Sequence, residues 1–196
     1  MPTDDLTRRF TAALSACGGS STIVPAEKLA DTVAAIIGRQ GTVLVAPELE
    51  SLTGELRVRG LDATLGTSGE SDHAGDPLPA SEAAADFADA VSRATCGVTG
   101  ALLGIAASGT VAVDTRSGNA GLLSCLPPHH IVVLPERSIQ PTLADALGIL
   151  ARESAAGGAG FVLISGPSRT SDIEMMSVLG VHGPLRLDVI VVREDA

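Results

Sequence analysis

The chain has 196 residues, of which 45% are hydrophobic and only 2% aromatic, and it contains no Trp or Tyr. Its 23 acidic and 13 basic residues give a formal net charge of -10 at pH 7. This charge repels nucleic acids and anionic membrane surfaces, and no apolar run reaches membrane-spanning length, so we expect neither nucleic-acid binding nor membrane insertion.

The cysteines are few and dispersed. Cys17, Cys96 and Cys125 form no C-x-x-C pair, so we expect neither an iron–sulfur cluster nor a disulfide in this chain, and the sequence identifies no cofactor. The first five residues, MPTDD, lack the apolar core of a signal peptide, which predicts a cytoplasmic protein.

The first half of the chain alternates helix patterns with short strand patterns. Helices are predicted over 3–16, 25–39, 47–59 and 81–94, and strands over 21–24, 42–45 and 63–65. Residues 1–20 are a candidate N-terminal helical extension. Residues 66–80 are dominated by Gly, Ser, Asp and Pro and predict a flexible loop, and whether it is a lid over a site stays open.

The second half carries most of the predicted strands. Strands are predicted over 96–98, 102–106, 110–113, 131–134, 161–164 and 187–192, with a helix from the capping residue Thr142 to residue 154. Ser108-Gly109 predicts a hairpin turn. The pattern predicts one α/β domain over residues 1–196, a three-layer α/β/α arrangement with a mostly parallel sheet. Ligands bind beyond the carboxyl ends of such strands, which favours the turns after Val98, Leu134 and Ile164.

The stretch from Phe161 to Pro184 has the pattern of an anion-binding site. A predicted strand runs into a hydroxyl-rich turn, and Ser171 to Glu174 match a capping box that predicts a helix start. The amino end of a helix carries partial positive charge, and an arginine can bind a carboxylate or phosphate in a fork. The predicted ligand-binding residues here are Ser168, Arg169, Thr170, Ser171 and Asp172.

The histidines are the candidate proton carriers. Alternation along the strand sends His129 and His130 to opposite faces, and we place His130 in the ligand site. His182 lies in a glycine-flanked turn and would meet Arg169 if both turns lie at one sheet edge, where it would suit proton transfer from a hydroxy acid. The alternative is a histidine bonded to a backbone carbonyl. We predict no metal site.

Four runs carry a resemblance to a known family: GVTGALLGIAASGT (97–110), LLSCLPPHHI (122–131), SGPSRTSDIE (165–174) and GVHGP (180–184). With these runs the chain resembles the LUD-domain family of lactate utilisation proteins. The resemblance implies a fold similar to the NagB/RpiA/CoA-transferase group. It also implies participation in the oxidation of L-lactate to pyruvate, as the non-redox component whose partner proteins carry the iron–sulfur clusters. From the first run we add Thr99, Gly109 and Thr110 to the ligand-binding set.

One position departs from the family pattern. Relatives often carry an acidic residue where this chain has Ala107, so a general base would have to come from elsewhere, and Glu174 and His182 are the candidate catalytic residues. Two other functions stay open. The first is a stand-alone transferase or isomerase acting on a sugar-phosphate or CoA substrate, by analogy with the fold group, and the second is a regulatory module. The ligand, the oligomeric state and catalysis by the isolated chain also stay open.

Overall fold

The computed structural model describes residues 2–38, 41–66, 82–115, 120–157, 160–171, 177–179 and 183–193. The α-helices of this part are α1 Thr3–Ala16, α2 Leu29–Ile37, α3 Glu50–Val58, α4 Glu82–Arg93, α5 Ala120–Leu123 and α6 Leu143–Gly157. The strands are β1 Ser20–Pro25, β2 Thr42–Val45, β3 Asp62–Leu65, β4 Ala94–Gly100, β5 Leu103–Ile105, β6 Thr110–Asp114, β7 His129–Pro135, β8 Ile139–Gln140, β9 Phe161–Ile164, β10 Arg169–Ser171, β11 Ser177–Leu179 and β12 Arg186–Arg193.

A six-stranded parallel sheet forms the centre of the molecule. Its strand order is β1-β12-β7-β4-β2-β3, and every neighbouring pair runs parallel. The adjacent interior strands β7 and β12 are nearly continuous runs of Val, Ile and Leu, because a parallel strand covered on both faces has no solvent side. The predicted α/β class with a mostly parallel sheet is confirmed.

Helices cover both faces of this sheet, as predicted. Ile131 of β7 packs into a core with side chains of α2 and α3, whereas its neighbour Val132 packs into a second core with α1, α4 and α5. The two-residue period of a strand produces this division, since successive side chains point to opposite faces.

A second sheet lies on the α1 side and was not predicted as such. Its order is β8-β5-β6-β9, and β5 and β6 form the predicted antiparallel hairpin. Gly109 in the hairpin turn has φ +63°, and the backbone of Leu14 in α1 lies so close that a side chain would not fit. The strand predicted at Phe161 exists, but as β9 at the edge of this second sheet. Helix α6 packs on the sheet's other side through Ala146 and Leu150.

Helix α1 is part of the main core. The sequence marked residues 1–20 as a candidate extension, yet Phe10 and Leu14 of α1 are both 0% exposed and pack with Val132 and Leu134 of the central sheet. The helix predicted over residues 3–16 is confirmed as α1. The predicted flexible loop over 66–80 lies outside the described residues, apart from Gly66. No helix in the described ranges is long and apolar enough to cross a membrane.

The packing of α1 gives a direct test. Phe10→Ala should lower the free energy of unfolding by about 3–5 kcal/mol, because it removes a buried aromatic ring and leaves a cavity. Val58→Ala is the matched control, since Val58 is 87% exposed, and it should change the free energy by less than about 0.5 kcal/mol. Urea denaturation followed by circular dichroism measures both. Equal stability of the two variants would mean that α1 is not part of the core.

Candidate functional site

A cavity of about 250 Å³ opens between the two sheets at the amino ends of β7 and β12. His130 and Leu187, the second residues of these strands, form one wall, and β9 with the turn 165–168 forms the other. Ser124 and Cys125 after α5, and Gly183 and Pro184 before β12, complete the lining.

Backbone hydrogen bonds hold the three loops around the cavity together. The carbonyl of Pro128 accepts from the N–H groups of Leu185 (2.8 Å) and Arg186 (3.2 Å), and the carbonyl of Pro184 accepts from Ser168 N–H (2.9 Å). Proline lacks an N–H and cannot continue a helix, so Pro127 and Pro128 direct the chain from α5 into β7. The cavity therefore has a wall of ordered loops.

His130 is the most unusual side chain in this lining. It is 0% exposed, and its Nε2 lies 2.9 Å from Oγ1 of Thr99 in the neighbouring strand β4. Thr99 is also fully buried. Its Nδ1 has no hydrogen-bond partner among the described residues. Burial and the neighbouring His129 lower the pKa of His130 to about 3, so the imidazole is neutral at physiological pH. A buried polar atom without a partner is uncommon in proteins and marks a position where a ligand or water can bind.

A chain of hydroxyl groups connects the hairpin turn to Ser165 in the cavity lining. Thr110 Oγ1 lies 2.7 Å from Ser165 Oγ and 2.6 Å from Ser108 Oγ, and Ser165 lines the cavity. Thr110 thus contacts the site through Ser165, whereas Gly109 serves the packing of the turn against α1. The predicted residues His130 and Ser168 lie in the lining itself, with Thr99 directly behind His130.

Arg169 does not contribute to this cavity. It is exposed, and its guanidinium packs against Gly18, just after the C-terminus of α1. That end of a helix carries partial negative charge, so the position stabilises a cation rather than presenting it to a ligand. The expectation that Arg169 holds the anion is therefore not supported by its position.

The helix predicted to start at Ser171 does not continue over residues 177–179, and its first turn lies outside the described residues. Residues 169–171 form strand β10, which pairs antiparallel with β11, and β11 already begins at Ser177. A capping-box pattern describes local hydrogen-bonding capacity, and here strand pairing uses the backbone instead. Thr170 and Ser171 belong to this hairpin. The predicted residues Asp172, Glu174 and His182 lie outside the described residues, so their roles stay predictions.

Two further hollows differ from this cavity in their lining. One of about 140 Å³ lies in the turn after β4, as expected for a site beyond a carboxyl end, but Glu48 and Asp114 line it and would repel a carboxylate. Another, of about 520 Å³, lies beside α3 and β3, where Arg57 donates to the carbonyl of Ala63 at 2.6 Å. Of the three, the cavity at the amino ends of β7 and β12 contains predicted site residues. The sequence favoured the turns after Val98, Leu134 and Ile164 as ligand sites. The turn after Ile164 lines this cavity, because β9 lies in the second sheet, across the cavity from β7 and β12.

The model of one protein family, described as the LUD domain, matches residues 7–192. The chain belongs to the LUD domain family. Among curated relatives, the lactate utilization protein C of Deinococcus radiodurans is 41% identical over 118 residues, covering 60% of this chain and 52% of the relative. That of Halalkalibacterium halodurans is 36% identical over 105 residues, covering 52% of this chain and 46% of the relative. The matches thus span about half the length of these relatives.

A solved structure shares the fold of this LUD domain. The crystal structure of a DUF162 family protein from Deinococcus radiodurans superposes with a TM-score of 0.70 and 23% sequence identity. The match covers 98% of this chain and 99% of the other chain. At this identity the likeness establishes the architecture, while the similarity to the NagB/RpiA/CoA-transferase group stays a prediction.

The opposite face of the LUD domain's sheet carries a separate polar cluster. His129 Nε2 and Arg186 Nε each lie 2.6 Å from the buried carboxylate of Asp188. Burial raises the pKa of Asp188, but the hydrogen bonds from His129 and Arg186 outweigh it and the net pKa is lowered. His129 and His130 therefore face opposite sides of the sheet, as their alternation predicted. This cluster joins the starts of β7 and β12.

Cys125 is a cavity residue that the sequence analysis did not propose. The residue is exposed at the surface and lines the cavity with His130, and partial burial of its thiol raises its pKa, so the sulfur is protonated at neutral pH. The signal that could have identified it is the run Cys125 to His130, in which two prolines bend the chain back before the strand.

Within the described residues, no group of three or more His, Cys, Asp or Glu side chains is arranged to hold a metal ion.

The buried His130 predicts a pH dependence of stability. An unfolded histidine binds a proton below about pH 6.5, whereas folded His130 does so only below a pKa of about 3, so stability falls as the pH drops through this window. Between pH 7 and pH 4 the wild type should lose about 3 kcal/mol more stability than His130→Gln, which does not titrate. Urea unfolding at several pH values measures the difference. Parallel curves for the two proteins would contradict the buried neutral state.

Proposed function

We propose that this LUD domain takes part in lactate utilisation by binding a small carboxylate such as lactate or pyruvate, while partner proteins carry the iron–sulfur chemistry. The names of its relatives support the pathway. The observation that supports ligand binding here is His130, a fully buried and neutral imidazole that lines the cavity and whose Nδ1 has no partner among the described residues.

The size and lining of the cavity favour a small ligand. Sites for drug-sized molecules measure about 300–1,000 Å³, and this cavity of about 250 Å³ lies below that range. Val162, Ile164 and Leu187 supply an apolar wall, and His130 and Ser168 supply polar groups. An apolar wall with few convergent polar groups is the usual composition of a small-molecule site.

The cavity lining contains no charged side chain among the described residues, so a carboxylate would be held by neutral donors. Such donors become stronger when water is excluded, as in anion sites that bind through backbone N–H groups and hydroxyls. Ser168 is well placed for this role, because its backbone N–H is fixed by the carbonyl of Pro184 and its side chain packs against Gly183. The selectivity would then rest on hydrogen-bond geometry.

His130 suits the role of a hydrogen-bonding group better than that of a base. A general base works best when its pKa lies near the operating pH, and the pKa of His130 is about 3. We infer that the chain positions its ligand and does not itself remove a proton through His130. This division fits a non-redox component of a lactate-oxidising system.

Ligand binding is testable by isothermal titration calorimetry with pyruvate and L-lactate. His130→Leu and Ser168→Ala should each weaken binding by about tenfold or more, since each removes a polar group from the cavity wall. Arg169→Ala is the matched control from the adjacent position, and it should change the affinity by less than about twofold, because Arg169 packs against Gly18. A large loss in Arg169→Ala with normal binding by the other two variants would refute this site.

The pathway is testable in cells and with purified components. A strain lacking this chain should fail to grow on L-lactate as carbon source, and the wild-type gene should restore growth while His130→Leu should not. L-lactate oxidation in vitro should require the iron–sulfur partner proteins. Turnover of a sugar phosphate or an acyl-CoA by the isolated chain would favour the transferase or isomerase alternative instead.

A further inference from the structure

Strand β9 has one unpaired edge in the part of the chain that the structure describes. It lies at the end of the second sheet and pairs with β6 in an antiparallel arrangement. In such a pair the residues alternate. One residue exchanges both backbone hydrogen bonds with its partner, and the next directs its N–H and C=O away from the partner strand. Every second residue of β9 therefore has backbone groups that β6 does not use.

One hydrogen bond identifies these residues of β9. Thr115 N–H donates to the carbonyl of Gly160 at 2.8 Å, one position beyond the paired residues of β6 and β9 and in the same register. Counting in steps of two from Gly160, the even-numbered residues of β9 exchange hydrogen bonds with β6. The odd-numbered residues, Phe161 and Leu163, direct their N–H and C=O groups to the other side.

The residue opposite Leu163 agrees with this assignment. Ala112 of β6 pairs with Leu163, and its carbonyl accepts a hydrogen bond of 2.8 Å from Leu102, which immediately precedes β5. The carbonyl of Ala112 thus points away from β9. Among the described residues, the N–H and C=O groups of Leu163 have no hydrogen-bond partner. One donor and one acceptor of the same residue are therefore available at the edge of β9.

The cavity between the two sheets runs along this edge. Its lining includes the consecutive residues Val162, Leu163, Ile164 and Ser165. Side chains of consecutive strand residues point to opposite faces, so a cavity on one face of β9 would contact every second residue. A cavity lined by all four lies beside the strand, and β6 occupies the opposite side. The unpaired N–H and C=O of Leu163 are therefore directed towards the cavity.

We propose that the edge of β9 binds a 2-hydroxy acid in the way it would bind one residue of an added strand. Leu163 N–H donates to the carboxylate of the ligand, and the 2-hydroxyl of the ligand donates to the carbonyl of Leu163. This inference rests on the small-carboxylate function proposed above, and it names the ligand class and the backbone groups that recognise it.

A 2-hydroxy acid has the same hydrogen-bonding pattern as a backbone residue. In a residue, one carbon atom separates the acceptor C=O from the donor N–H. In a 2-hydroxy acid, one carbon atom likewise separates the carboxylate from the hydroxyl, and the methyl group of L-lactate corresponds to the side chain of alanine. One ligand and one residue can then exchange two hydrogen bonds, as in the directly bonded pair of an antiparallel sheet.

The carbonyl of Leu163 distinguishes between ligand classes. A 2-keto acid carries an acceptor oxygen where the hydroxy acid carries a donor, so two acceptors would face each other. An unsubstituted acid has no polar group at that position. Both ligands leave the Leu163 carbonyl without a partner, and this loss weakens binding where water is excluded. The carbonyl therefore selects for the hydroxyl, while the N–H group binds the carboxylate that all three classes share.

Isothermal titration calorimetry with L-lactate, pyruvate and propionate on the full chain tests this selectivity. L-Lactate should bind at least about tenfold more tightly than either of the other two acids. Pyruvate binding as tightly as L-lactate, or more tightly, would overturn the inference and leave the small-carboxylate function standing. Absence of binding by all three acids would overturn both.

The N–H group of Leu163 can be removed without changing the side chain. Incorporation of the α-hydroxy acid analogue of leucine at position 163 by nonsense suppression replaces this N–H by an ester oxygen, and L-lactate should bind about tenfold more weakly. The equivalent replacement at Phe161 is the matched control, because its N–H also points away from β6 but Phe161 does not line the cavity. It should change the affinity by less than about twofold. Equal affinities of the two variants would refute the role of Leu163.

Proline substitutions test the unpaired edge in the absence of any ligand. Proline is tolerated on an edge strand where the N–H takes no part in the ladder, whereas elsewhere it removes a ladder hydrogen bond. Leu163→Pro should therefore unfold at a higher urea concentration than Val162→Pro, whose N–H bonds β6. The reverse order would mean that the chain itself uses the Leu163 N–H, and it would overturn the proposal.

Discussion

The parallel pairing of β7 with β12 is the interaction on which the rest of this LUD domain depends. The register sets Leu187 beside His130 in the centre of the sheet, where both faces are buried. Because the two strands start at the same level, the loops that precede them meet, and the Pro128 carbonyl joins these loops. The cavity lies where these loops converge. The site is thus a consequence of strand register.

The same pairing separates two adjacent histidines into different environments. His129 faces the side where Asp188 and Arg186 form a polar cluster, while His130 faces the hydrophobic side and lines the cavity. On one side Asp188 bonds His129 and Arg186, and on the other side burial, with the neighbouring His129, lowers the pKa of His130 and keeps its imidazole neutral. Although the chain has a net charge of -10, the cavity lining contains no charged side chain among the described residues.

Periodicity predicted most elements because it reflects burial of a face, which is a local property. The strand at Ile131 to Leu134, the helix capped by Thr142 and the hairpin at Gly109 occur where the pattern placed them. The helix predicted from Ser171 does not extend over residues 177–179, which pair as a strand with residues 169–171, because strand pairing with residues six or more positions away is not visible in a local capping pattern. The pattern also could not assign β9 to the second sheet, because a short apolar run fits any buried sheet position.

The sequence by itself determined the α/β class, the alternation that divides His129 from His130, and the family, since these follow from residue types and short spacings. Only the tertiary structure decided that His130 contacts Thr99 and lines one cavity with Ser168, and that Arg169 lies at the end of α1. These contacts join residues far apart in the chain. They depend on sheet order and register, which arise from the packing of the whole core and are not encoded in any single stretch.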